Sequence, residues 1–291
     1  MATAREIRRR IRSVKNVAQI TRAVQMVASS KMRRAQERVV ASRPYSDELM
    51  RLVARLAKQA ADEDDLPLMK TRPLKRAGIV VVSPDRGLAG GLPGNINRRT
   101  AQVSADLRRE TANPNLPISY VAVGRRGRDF LARTQQPIIA EFTNLGDHPT
   151  QADVRAIART ITDAYINGEV DRVLLVYAKF VSTVMQTPTV VQLLPVEPPE
   201  EDVARGSTPQ YIYEPNAGAI FAALLPRYVE TLIYQPLLEN VASFYSAQMV
   251  AMKNATDNAT DLVEDLTLTY NKARQTAITT QILEVVAGSN A

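Results

Sequence analysis

The chain has 291 residues, 37 Lys/Arg against 30 Asp/Glu, one His, and neither Cys nor Trp. Without Cys there are no disulfides and no thiolate metal ligands, and a single His leaves too few ligands for a zinc site. No run of 18 apolar residues is present to cross a bilayer, and the basic N-terminus lacks the apolar stretch of a secretory signal.

Residues 4–60 contain no Gly and only one Pro, Pro44. Along them Ile7, Ile11, Val14, Ala18, Thr21, Gln25, Ala28, Met32, Ala35 and Val39 recur in alternating steps of four and three. That 3.5-residue repeat predicts a helix with a coiled-coil seam. At ~1.5 Å per residue the helix would span on the order of 80 Å, more than a small domain can bury. Val17, Ile20, Val24 and Val27 mark a second apolar stripe, which calls for a further partner or another element of the chain. Residues 61–76, with four consecutive acids and two prolines, read as a linker.

From Gly78 the pattern changes. Short apolar runs at 78–83, 118–123, 138–142 and 172–181 read as strands, with 190–194 as a hairpin partner of the last. Helical stretches near 95–110, 125–133 and 151–167 fall between them. This alternation predicts a mostly parallel, Rossmann-like α/β domain over 75–210. Residues 195–210 read as a loop.

The helical pattern resumes near 217 and continues to 286, giving a second shaft segment over 213–287. Pro226 and Pro236 are expected to kink or end it. Its seam is read as Val241, Tyr245, Gln248, Met252, Ala255, Ala259, Leu262, Leu266, Tyr270, Ala273 and Ala277. The expected fold is therefore α/β: a long antiparallel coiled coil of N- and C-terminal helices (1–60 and 213–287) with the α/β domain inserted. Charge favours the pairing, since residues 1–60 hold 15 Lys/Arg and 4 Asp/Glu, whereas 228–291 hold 3 and 7.

Catalytic chemistry finds little support. The loop Asp85–Gly94 follows a strand and precedes a helix, but its glycines do not fit G-x-G-x-x-G and no Lys-Ser/Thr pair marks a Walker loop. A turn built on glycine explains it. His148, in Gly-Asp-His-Pro, reads as a solvated turn histidine. Asp261, Glu264 and Asp265 read as solvated helix carboxylates. The basic N-terminal arm (Arg5, Arg8, Arg9, Arg10, Arg12, Lys15) is compatible with a coiled-coil nucleic-acid binder, although no aromatics interleave with it to stack bases. Ile278, Ile282, Leu283, Val285 and Val286 spread around a terminal helix, an arc that calls for burial in another protein.

Longer motifs carry more. Ile20-Thr-Arg-Ala-Val-Gln-Met-Val-Ala-Ser-Ser-Lys-Met32, Ala41-Ser-Arg-Pro-Tyr45, Ser83-Pro-Asp-Arg-Gly-Leu-Ala-Gly-Gly91, Met249-Val-Ala-Met-Lys-Asn-Ala-Thr-Asp-Asn258 and Tyr270-Asn-Lys-Ala-Arg-Gln275 closely resemble the gamma-subunit family of F-type ATP synthases, in its order and spacing across the chain. The resemblance implies a rotor shaft with no active site or cofactor of its own. It also implies alpha and beta subunits, epsilon and the c-ring as partners, no nucleic acid, and a membrane reached only through the complex. The location implied is peripheral, on the cytoplasmic side of the cell inner membrane. By the same resemblance Lys31, Arg33 and Arg34 meet an acidic beta-subunit loop, and Arg274 and Gln275 form a polar catch on beta. Tyr211, Tyr213 and Glu214 meet epsilon and the c-ring, and the tip from Ile278 to Val286 turns in a sleeve of the ring.

Overall fold

The computed structural model describes residues 3–59, 66–198 and 216–289. Ten elements follow in order: α1 (Ala4–Gln59), β1 (Ala77–Val82), α2 (Leu92–Glu110), β2 (Ile118–Val123), α3 (Arg125–Arg133), β3 (Ile138–Phe142), α4 (Gln151–Ile166), β4 (Arg172–Phe180), β5 (Gln186–Leu194) and α5 (Ala217–Ser289). The chain divides into two compact units, Met1–Ser30 with Gln248–Ala291, and Lys31–Ala247.

The first unit is a pair of helices. Ile7 and Ala28 are buried on α1, with Ile11, Val14, Ala18, Thr21 and Gln25 half-buried on the same stripe. On α5 one buried or half-buried stripe runs through Met252, Thr256, Ala259, Val263, Leu266, Tyr270 and Ala273. Steps of four and three alternate strictly along this series. The expected seam therefore needs correcting at two positions: Ala255 is half-buried, but Leu262 is 47% exposed, and Ala277 is exposed too. The physical reason is Thr256, a polar residue whose hydroxyl is met across the seam by that of Thr21 at 2.7 Å. Of the second stripe, Val17, Ile20 and Val27 stand exposed and Val24 is half-buried.

The second unit is built on a five-stranded sheet of order β3-β2-β1-β4-β5. β1 pairs in parallel with β2 and β4, β2 in parallel with β3, and β5 antiparallel with β4. All six residues of β1 are buried, as expected of a central strand covered on both faces. β5 is longer than expected, since Gln186–Thr189 also pair with β4. The core joins strand residues such as Val80, Leu175 and Leu193 to Leu49, Val53 and Leu56 of α1 and to Phe221, Leu225 and Ile233 of α5. Each such aliphatic side chain contributes about 1.5–3 kcal/mol by leaving water. The stretch read as a linker is partly core, since Leu66 and Leu68 are buried and the Leu68 carbonyl accepts the Val196 N–H at 2.8 Å.

Within this unit α1 and α5 run antiparallel. Lys31 meets Tyr245, and eleven residues later Ser42 donates to Gln235 Oε1 at 2.8 Å. Ala35 and Val39 pack with Leu238 and Ala242. The seam of α1 continues through Ser42, Ser46, Leu49, Val53 and Leu56 in the same alternating steps, beyond the Val39 limit read from sequence. Pro226 and Pro236 both lie inside α5, which does not end at either. Of the two outcomes expected of them, a kink or an end, the end is therefore excluded: the helix continues across each missing donor.

Candidate functional site

The Gly-rich loop after β1 serves α3. Ser83 Oγ accepts the Gly127 N–H at 2.7 Å, the Pro84 carbonyl accepts the Arg126 N–H at 3.1 Å, and Asp85 Oδ1 accepts the Arg125 N–H at 3.0 Å. The positive end of α3 is occupied by groups of the chain itself, so the first-turn donors that a nucleotide phosphate uses are already taken. Gly124 has φ +92°, and a Cβ there would stand 1.9 Å from the Ser83 carbonyl oxygen. This glycine, at the end of β2 and outside the 85–94 loop read as a glycine turn, is required by backbone contact.

A second cluster centres on Asp147, in the irregular connection between β3 and α4. Lys31 Nζ of α1 donates to Asp147 Oδ2 at 2.7 Å, and the Tyr245 hydroxyl of α5 donates to Oδ1. Lys31 Nζ also reaches the Tyr245 hydroxyl at 3.3 Å and lies 5.3 Å from the ring centroid. Arg86 Nη1 stands 3.7 Å from Oδ1. About two turns further along α1 than Lys31, Arg38 donates to the Asp147 carbonyl at 3.2 Å and meets the imidazole of His148. The hydrogen bond to Asp147 raises the Lys31 ammonium above its usual value, against the opposing effect of burial. Burial pushes the Asp147 carboxyl upward, but the hydrogen bonds from Lys31 and Tyr245 outweigh it and leave the group below the ordinary carboxylate value. Asp147 and Tyr245 also line a cleft of about 170 Å³ with Arg86, Arg125 and Asn240 at the carboxyl ends of β1 and β2.

Of the residues read as partner contacts, Lys31 is held in this cluster and half-buried, whereas Arg33 and Arg34 face solvent. Arg274 and Gln275 are exposed on α5. Ile278, Ile282, Leu283 and Val285 are exposed, Leu283 at 63%. The side chain of Val286 and the residues Tyr211, Tyr213 and Glu214 lie outside what is described. His148 is exposed in a turn, and Asp261, Glu264 and Asp265 are solvated, as expected. The role of Asp147 was missed in the sequence. Its one visible signal is an acid in a Gly-Asp-His-Pro turn of a chain whose first helix carries the excess positive charge. Among the described residues no group of three or more His, Cys, Asp or Glu is placed to hold a metal ion, and no helix is long and apolar enough to cross a membrane.

These features, a helix pair with bare outer faces and an α/β unit whose phosphate-type loop is filled from within, coincide with a family match over residues 3–291 to the model described as ATP synthase. Curated relatives span the full length. The ATP synthase gamma chain of Dehalococcoides mccartyi is 48% identical over 292 residues, covering 100% of this chain and 99% of the relative. The chain belongs to the ATP synthase gamma chain family. The gamma chain of Acidithiobacillus ferrooxidans is 49% identical over 100% of both proteins, and that of Roseiflexus castenholzii 46%. Among solved structures, a chain of the Euglena gracilis mitochondrial ATP synthase complex of OSCP, F1 and c-ring superposes with a TM-score of 0.63 at 20% identity, covering 99% of this chain and 93% of that one. A chain from the Tetrahymena thermophila central stalk and c-ring gives 0.60 at 21%, covering 81% and 99%. As a gamma chain the protein is a non-catalytic part of the ATP synthase and a peripheral part of a membrane complex. The nucleic-acid reading of the basic arm has no support among these relatives.

Proposed function

We propose that this chain is the central rotor shaft that couples proton flow through the membrane sector to ATP synthesis at the beta-subunit sites. The observation that carries the reading is the seam of the first unit, where small and hydroxylated residues (Ala18, Thr21, Ala28, Thr256, Ala259) let two helix backbones approach closely while their outer faces stay bare. A stiff helix pair with unpartnered outer faces suits a spindle gripped by other subunits. Each proton crossing ~100 mV delivers about 2.3 kcal/mol, so several must be summed for one ATP, and a continuous shaft can pass on such sums.

In this reading the helix pair lies inside a ring of alternating alpha and beta subunits. The α/β unit meets epsilon and the c-ring through the segment of Tyr211, Tyr213 and Glu214, on the cytoplasmic side of the cell inner membrane. Exposed Arg33 and Arg34, with Lys31, face an acidic loop of beta, and Arg274 and Gln275 form the polar catch. The exposed apolar positions Ile278, Ile282, Leu283 and Val285, with Val286, are the bearing tip, since isolated in water they would cost solvation that a hydrophobic sleeve removes. Co-expression with the alpha and beta subunits of the same organism, followed by imaging of the complex, tests this. The expected result is a hexamer with residues 1–30 and 248–289 along its axis, and a hexamer that forms with an empty axis overturns it.

A further inference from the structure

Asp147 gathers side chains from three other parts of the second unit: Lys31 from α1, Tyr245 from α5 and Arg86 from the loop after β1. Arg38, two helical turns beyond Lys31 and so on the same face of α1, holds the neighbouring carbonyl. Lys31 is the first residue of this unit, and Tyr245 lies two residues before its last, so the cluster sits where both helices enter it along the chain. Around it the helix contacts are smooth and apolar (Ala35, Val39, Leu238, Ala242), a packing that resists separation but offers little directional resistance to sliding. Hydrogen bonds do resist it, because they weaken steeply with angle and distance. On the sheet side, Ser243 Oγ donates to the Ala178 carbonyl at 2.8 Å and Ser246 Oγ to the Thr183 carbonyl at 2.6 Å, so α5 is also fixed to β4 and the hairpin that follows it.

We propose that Lys31, Asp147 and Tyr245 are positioning residues that clamp both shaft helices to the α/β unit, so that torque applied to that unit turns the helices without slip. The inference rests on the rotor reading. The clamp acts on coupling more than on stability, since a partly exposed ion pair contributes little to folding. Lys31 thereby works inside its own chain, whether or not it also faces beta.

The test uses the assembled membrane ATP synthase carrying Lys31→Met, Asp147→Leu or Tyr245→Phe, and the double Lys31→Met/Asp147→Leu. The readout is ATP-driven proton pumping divided by ATP hydrolysed in the same vesicles, with thermal stability measured alongside. Each single variant is expected to lower the ratio by about two-fold or more. The double variant should be no worse than the poorer single, because one unit is lost only once. Should Asp147→Leu fail to assemble, Tyr245→Phe, which keeps the ring, and Lys31→Met decide the matter. Wild-type ratios in the variants, losses that multiply in the double, or a ratio that falls for Lys31→Met alone all overturn the clamp while the rotor reading stands. A wild-type complex that hydrolyses ATP without pumping overturns both.

Discussion

Thr21 of α1 and Thr256 of α5 share a hydrogen bond 2.7 Å long in the middle of the helix-pair seam. Each hydroxyl also lies within reach of its own helix backbone, Thr21 at the Ala18 carbonyl (3.1 Å) and Thr256 at the Met252 carbonyl (2.9 Å). A hydrogen-bonded polar pair in a coiled-coil seam fixes register, because a slip that sets either hydroxyl against an apolar side chain loses the bond. Replacing both with Val, a near-isosteric change, is therefore expected to alter stability by less than about 1 kcal/mol. Thr256→Leu alone should cost about 1–3 kcal/mol through overpacking. Urea unfolding followed by circular dichroism measures both, and the account expects the single change to be the more harmful.

Close approach of the two backbones depends on Ala259, which is buried, and on half-buried Ala273. A Phe at position 259 should splay the pair at a cost of about 1–3 kcal/mol. It should impair coupling while the beta-subunit sites keep their chemistry. Normal ATP synthesis by an assembled Ala259→Phe complex would refute the tight seam.

Gly124→Ala places a methyl into the Ser83 carbonyl and strains a backbone with φ +92°. The expected loss is roughly 2–4 kcal/mol, read as a fall in the unfolding midpoint of the α/β unit. Gly127→Ala meets only Ser83 Oγ and Cβ and the Val81 side chain, with 2.8 Å the nearest approach, and should cost less.

Five phenols, Tyr120, Tyr165, Tyr177, Tyr228 and Tyr245, are raised above the usual value of 10.0, each chiefly by burial. Tyr177 moves furthest, with the Glu239 carboxylate adding to the burial. A folded value above the unfolded one means that the stabilisation is complete below pH 10.0 and is lost as pH rises through the folded values. Absorbance titration should therefore show these tyrosines resisting ionisation at pH 10.0 until alkaline unfolding releases them together. Full ionisation of the native protein with ordinary titration would contradict their burial.

The apolar tip separates folding from assembly. Ile282 and Leu283 are exposed, so Ile282→Ser/Leu283→Ser should change the chain's own stability by no more than about 0.5 kcal/mol. The same double change should loosen the shaft's retention in the hexamer, measured as the fraction of gamma lost from the purified complex on dilution. A loss of chain stability with full retention would show that the tip packs on its own protein.

Much of the architecture was legible because it rests on periodicity. The α1 seam from Ile7 to Val39 and the buried runs 77–82 and 118–123 are patterns that local burial alone dictates. The seam of α5 was misread at Thr256 and Val263 because a threonine does not look like a core residue until Thr21 stands opposite it. Leu66 and Leu68 were hidden among acids and prolines, and their burial depends on a neighbour, Val196, almost 130 residues away. Asp147 was invisible for the same reason: its partners lie 61 to 116 residues away along the chain, and no local spacing records them.

The rotor reading requires the chain to turn inside a fixed ring of alpha and beta subunits. Since the chain has no Cys, an Asn115→Cys variant carries its only thiol, on an exposed turn of the α/β unit. A bead attached there, with the alpha and beta subunits fixed to a surface, reports rotation directly. The account predicts continuous rotation in one direction on addition of ATP, stopping when ATP is exhausted. ATP hydrolysis at an undiminished rate with a stationary bead would contradict it.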